Sequence, residues 1–204
     1  VPASVQRLEA HGNTVVANAT GFQMPGSGSN GAGVDLQWNR IAGNGIGIAD
    51  GAGLVEISAE RNWWGCSAGP GQPGCDALLN EATPAEWLVA TLAPQPLIVS
   101  PPANVPVAFD VRRSNLGNDH AAVTRFPNGT AVAFATSFGS LPAVGSTLGA
   151  RAQVAFTAAT PGLADVTATL DSETLATRIV VSDGATVLCV PTLFDARCQI
   201  DYPT

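Results

Sequence analysis

Catalysis and metal binding need particular side chains at workable spacings. In residues 1–82 the carboxylates with a place in the pattern are Glu9, Asp35, Glu56, Glu60 and Asp76, and the chain's two histidines are His11 and His120. Asp35 and Glu56 each follow a valine, Val34 and Val55, in segments that align, so they are expected one above the other on an outward face. Stacked like charges repel, so such a pair would share a cation or stand solvated and apart. A glycosidase needs two carboxyl groups roughly 5–10 Å apart in a cleft, and a stack of a few short strands offers little cleft. Ser–His–Asp chemistry fares no better: neither histidine is near a Gly-x-Ser-x-Gly turn, and the two fall in separate halves of the chain. The expectation is a protein that is not an enzyme and uses no cofactor or metal.

The four cysteines form two pairs of equal spacing, Cys66 with Cys75 and Cys189 with Cys198. Zinc sites prefer two to four residues between paired ligands, fewer than either pair has, and no histidine lies near them. The Gly/Pro-rich loop from Cys66 to Cys75 is flexible enough to close as a disulfide. Two local disulfides are the preferred reading, with free thiols and metal binding as the alternatives. Disulfides persist in oxidising surroundings, so the chain is expected to be secreted or on a cell surface. All nine basic residues are Arg, with no Lys, which excludes Schiff-base chemistry and a P-loop lysine. A net charge of -7 argues against nucleic acid as a partner, because phosphate binding needs a basic surface. No apolar run approaches the length of a transmembrane segment.

Residues 1 to 65 carry the elements that must position these groups. Three alternating apolar/polar segments end in asparagine: Val5 to Asn13, Val34 to Asn39 and Val55 to Asn62. Two of them are followed by a second short strand ending in a second asparagine, Asn18 and Asn44. A repeat in the twenties, built from short strands and Asn/Gly corners, is the signature of a β-solenoid. Asn tolerates the left-handed conformation of a sharp corner best after Gly, and stacked corner asparagines can bond along the ladder. The alternative is ordinary Asn-Gly turns in another kind of β protein.

The block Asn62-Trp63-Trp64-Gly65-Cys66, with the Gly/Pro loop to Cys75, resembles the closing coil of bacterial right-handed parallel β-helix proteins of the pectate-lyase-like superfamily. The resemblance implies that Trp63 and Trp64 cover the open end of the apolar stack, and that a disulfide pins the loop leaving the last coil. Members of that superfamily are often polysaccharide lyases, which hold Ca²⁺ on clustered acids and use Arg or Lys as base. Here Glu9 aligns poorly with Asp35 and Glu56, and Arg40 and Arg61 flank corner asparagines, where a solvated role is ordinary. Only a few coils are present. The first would expose strand edges, to be completed by upstream sequence or a neighbouring molecule.

Beyond Thr83-Pro84-Ala85-Glu86, a candidate single helical turn with a capping box, the alternation becomes that of a sandwich. Strands are expected at 96–100, 105–113, 121–126, 130–137, 150–158, 164–170 and 174–181, separated by turn signals such as Pro127-Asn128-Gly129. The run from Pro127 to Phe134, with Ala150 to Ala158 and Pro161 to Ala168, resembles bacterial Ig-like domains of the invasin/intimin type. That family implies a spacer in a surface protein, with no catalytic residues. The tail around Cys189 and Cys198 is expected to be a disulfide-closed hairpin packed on its own sandwich, with a strand donated to a neighbour as the alternative.

The expectation is thus an all-β protein: a short right-handed parallel β-helix segment (1–82), a linker (83–95), an Ig-like β-sandwich (96–182) and a disulfide-closed tail (183–204). Asn13, Asn39 and Asn62 form the corners and Trp63 and Trp64 the cap. The function expected is an extracellular structural subunit of a surface filament, homo-oligomeric through its strand edges. The alternative is a C-terminal spacer of a larger adhesin or carbohydrate-active β-helix protein, with Trp38 and Trp87 touching surface glycans.

Overall fold

The computed structural model describes residues 8–24, 33–50, 56–79 and 83–184. Those residues are all-β, with no helix among them. In the first half, short alternating segments are broken by tight corners. β1 (Leu8–His11), β2 (Thr14–Val16) and β3 (Thr20–Met24) make one turn of chain, and β4 (Gly33–Gln37), β5 (Arg40–Ala42) and β6 (Ile46–Asp50) the next. β7 (Glu56–Ser58) and β8 (Leu78–Leu79) belong to a third. Like strands of successive turns pair in parallel, in sheets ordered β1-β4-β7, β2-β5 and β3-β6-β8. A bridge between Arg40 and Trp63 extends the middle sheet. Met24, Val34, Leu36, Ile41, Ile48, Ala59 and Trp64 are buried together between the sheets. Each large side chain there contributes roughly 1.5–3 kcal/mol, and a single turn could not shield such a cluster by itself.

The register corrects two expectations. Asp35 lies opposite Glu9 on one side and Ser58 on the other, while Glu56 lies opposite Gly33. The asparagine corners set the step between turns, 26 residues and then 23, and they place Val34 against Ile57 rather than Val55. The asparagines also do not make the sharp bend. The residue before each one does: Gly12 (φ 69°), Ala17 (58°), Trp38 (61°), Gly43 (67°) and Arg61 (58°).

The second half is one curled sheet. Its strands are β9 (Leu88–Pro94), β10 (Ile98–Val99), β11 (Ala103–Ser114), β12 (Ala131–Thr136), β13 (Val144–Leu148), β14 (Arg151–Ala158), β15 (Gly162–Leu170) and β16 (Glu173–Val181). The order is β10-β16-β15-β12-β13-β14-β11-β9. Only the β10–β16 pair is parallel. β13 pairs with both β12 and β14 and so joins the two layers. β14 alternates exposed and buried at every residue, as a strand with one face on a core must. Val105, Val107, Phe109, Phe156, Val166 and Ile179 fill the space between the layers.

Four local expectations differ from the structure. Residues 121–126 form turns rather than a strand, with the Val123 and Thr124 amides donating to the His120 carbonyl; only Phe126 of the six is buried, so the segment has no face to bury. Leu88–Pro94, read as linker, is the edge strand β9, and its proline sits at the strand end, where it is tolerated. β13, with its Gly145 and a single buried residue, gave no alternation to read. Residues 83–86 are not helical, because the Glu60 carboxylate accepts the Ala85 and Glu86 amides and draws that segment along the stack. The proposed donor strand, Cys189 and Cys198 lie outside the described residues.

Candidate functional site

Two asparagine ladders hold the turns in register. The Asn13 amide and its Nδ2 both donate to Asn39 Oδ1, at 2.9 and 3.0 Å. The same two donors of Asn39 reach Asn62 Oδ1, at 2.8 and 3.1 Å. Asn39 Nδ2 also donates upward to the Ala10 carbonyl, at 2.8 Å. Buried polar groups left without partners cost about 1–3 kcal/mol each, so Asn39, fully buried, is satisfied on both sides. The second ladder repeats the pattern: the Asn18 amide and Nδ2 donate to Asn44 Oδ1, and the amide and Nδ2 of Asn44 donate to Asp76. A carboxylate only accepts, so Asp76 ends the ladder. Burial pushes its carboxyl above the usual aspartate range, against the bonds from Asn44 that lower it.

The tip of the β15–β16 hairpin closes the far end of the stack. Asp171, itself left-handed (φ 55°), accepts two N–H bonds from the Arg40 guanidinium and one from Trp63 Nε1 at 2.8 Å. The Ser172 amide donates to the Gly65 carbonyl at 3.2 Å, and its hydroxyl lies against the carbonyls of Gly65 and Gly74. The Ser67 amide donates to the Glu173 carboxylate at 2.8 Å. Bonds to charged groups contribute roughly 1.5–3 kcal/mol each, so this small contact joins the two halves firmly. Arg40 is therefore not merely solvated.

A second contact lies beside it. The His120 ring meets the Trp38 ring edge-on at 5.1 Å, and the Arg61 guanidinium sits 5.2 Å from the centre of the same ring. His120 Nε2 is 3.0 Å from Glu86 Oε1, which also accepts from Asn118 Nδ2 at 2.7 Å. Burial acts to raise the Glu86 carboxyl, but side-chain hydrogen bonds, that from Asn118 first, together with the charge of His120 outweigh it and hold the group below its usual range. Arg125 lies 3.3 Å from His11 Nδ1.

Cys66 and Cys75 form a disulfide. Trp64 packs into the stack, whereas Trp63 points the other way, into the core of the curled sheet. Neighbours on an extended backbone face opposite sides, so the two do not form a common cap; the hairpin tip does that work. Trp38 is 6% exposed and its ring is occupied by His120 and Arg61. Trp87 is half-buried, its indole N–H donating to the Ser67 carbonyl at 3.1 Å and its ring against Gly69. Asp35 is buried, 3.5 Å from His11 Nε2. Among the described residues no three His, Cys, Asp or Glu side chains gather to hold a metal. Nothing in the sequence marks Asp171 and Ser172, since an ordinary hairpin tip carries no local sign of its partners.

No protein-family model matches the chain, and no curated protein matches it. Among solved structures, the D0-D1 domain of intimin is similar at 14% identity over 45% of this chain and 48% of that one, with a TM-score of 0.34. The D00-D0 domain of intimin matches at 15% identity over 53% of this chain and 54% of that one, TM-score 0.37. A C-terminal 282-residue intimin fragment, in complex with the intimin-binding domain of the translocated intimin receptor, matches at 17% over 44% of this chain and 30% of that one, TM-score 0.33. The chain thus spans about half the length of the two-domain intimin structures.

Proposed function

We propose that this chain is a structural module of a bacterial surface protein: the last coils of a parallel β-helix, rigidly joined to an immunoglobulin-like sandwich that extends it from or along the cell surface. The observation that carries this reading is the joint at Asp171. One hairpin tip binds Arg40, Trp63, Gly65, Gly74 and Ser67, so the two halves are held at a fixed angle, as a load-transmitting spacer requires. The Cys66–Cys75 disulfide fits an oxidising, extracellular setting. Small-angle scattering of the purified chain should report one rigid particle, and incubation with acidic and neutral polysaccharides should leave their chain lengths unchanged. Two independently moving bodies, or cleavage, would overturn the reading.

A filament of head-to-tail subunits is the second reading. The outer edges of β1, β2 and β3, which pair on one side only among the described residues, favour it. Sedimentation at rising concentration decides: growth into long species supports the filament, and a constant monomer rejects it.

A further inference from the structure

The free end of the stack is chemically directional. Along both ladders Asn13, Asn39, Asn18 and Asn44 donate the amide N–H and Nδ2 to the residue one turn later, and Asn39, Asn62 and Asn44 receive that pair of donors on Oδ1 from one turn earlier. The Nδ2 groups of Asn39 and Asn44 also reach back to the Ala10 and Val15 carbonyls. Asn13 and Asn18 have made their donations, and among the described residues nothing donates to their Oδ1 atoms. The corners of the first turn therefore offer two acceptors, five positions apart in sequence, beside the outer edges of β1, β2 and β3.

The apolar residues of that turn are incomplete in the same direction. Leu8, Val15 and Phe22 lie in register with Val34, Ile41 and Ile48. The second-turn residues are 7%, 0% and 0% exposed, whereas Leu8 is 54% exposed and Val15 and Phe22 are only half-buried. What covers the second turn on that side is the first turn, and among the described residues nothing equivalent covers the first.

We infer that this end is a docking surface for one preceding turn of the same stack, a parallel coil carrying asparagine at both corners with their five-residue spacing. A folded second copy cannot continue the two ladders at this end. Its far end is closed by Asp171 and Ser172, and two first turns face to face would set the Asn13 and Asn18 Oδ1 acceptors of one copy toward those of the other. The inference rests on reading the first half as the end of a longer β-helix, whereas scattering tests the joint without reference to this edge.

The test is a tandem duplication, a second copy of residues 8–33 inserted between Arg7 and Leu8 of the full chain. This length restores the 26-residue step, so the added asparagines fall over Asn13 and Asn18. Hydrogen exchange of the original β1–β3 amides is expected to slow by about tenfold or more, the change of a fraying edge becoming interior. The same insertion with Asn13→Ala and Asn18→Ala in the added copy should lose most of that protection. A synthetic peptide of residues 8–33 added to the unmodified chain gives an independent readout in case the longer chain does not fold. No slowing in either format overturns the inference. So does equal protection in the unmodified chain as it dimerises, which would make a second copy the occupant.

Discussion

At corners of the stack, two residues share one backbone conformation and differ in what surrounds them. Gly12 and Ala17 both have positive φ, 69° and 58°. A Cβ on Gly12 would sit 2.6 Å from the Arg125 carbonyl oxygen, so Gly12→Ala must push the 115–129 segment off the stack and add left-handed strain; a loss of about 2 kcal/mol or more is expected in urea unfolding. Ala17 is exposed, and Ala17→Gly removes strain of about 1–2 kcal/mol against a smaller rise in unfolded-chain entropy. It should leave stability unchanged or higher, where the same change in a strand interior would lower it. Asp76 makes a prediction in pH. Its folded carboxyl is raised by burial, so its contribution is fully present below the usual aspartate range and is lost as pH rises through the folded value. Asp76→Asn keeps an Oδ1 that can accept both Asn44 donors, as Asn62 Oδ1 does for Asn39. The variant should melt higher than the parent at pH 7 and converge with it in acid. A lower melting point at pH 7 would show that the carboxylate is needed in its charged form. Glu86, held low, acts in the opposite sense and is lost as pH falls.

Among the elements, the β15–β16 hairpin carries more than its own sheet. Asp171→Ala removes the acceptor for both Arg40 and the Trp63 indole, leaving a guanidinium and a buried N–H unpaired. The expected loss is about 2–4 kcal/mol, together with faster hydrogen exchange around Gly65 and Ser67, while the amides of β12 and β14 stay protected. Uniform loosening of both halves would instead place the effect in the sheet itself. Nothing local in the sequence announces this role, because Asp171 and Arg40 are 131 positions apart and hairpin tips are polar wherever they point. What was legible was periodic. The asparagine steps marked the turns of the stack, and strict alternation marked β14. What was illegible lacked a period: β9 looks like linker because proline ends it, β13 is short with three of its five residues exposed, and matching the valines sets Asp35 beside Glu56 where the asparagines, which fix the register, do not. Trp63 and Trp64 were legible as large buried side chains but not as members of separate cores, since adjacency in sequence hides the alternation of an extended backbone.

For the whole molecule, the question is whether two differently built halves unfold as one. Their cores are separate clusters, yet Trp38 and Trp63 come from the stack and pack with the curled sheet, and the Leu88 amide that opens β9 donates to the Asn62 carbonyl at 3.0 Å. Cooperativity then depends on the short segment between these points, which the Cys66–Cys75 disulfide closes into a loop. Cross-linking a loop of this size stabilises by about 3 kcal/mol in the chain-entropy account. The Gly65 and Gly74 carbonyls that receive Ser172 flank that loop at its two ends, so it also fixes the geometry of the joint. The oxidised protein should therefore unfold in one transition, with tryptophan fluorescence and far-UV circular dichroism changing together. The Cys66→Ala/Cys75→Ala variant should lose about 3 kcal/mol from the stack and split the curve, the fluorescence of Trp64 shifting before the sheet signal is lost. A variant that still melts as a single unit at lower denaturant would place the coupling in the shared tryptophan packing, with the disulfide adding stability alone.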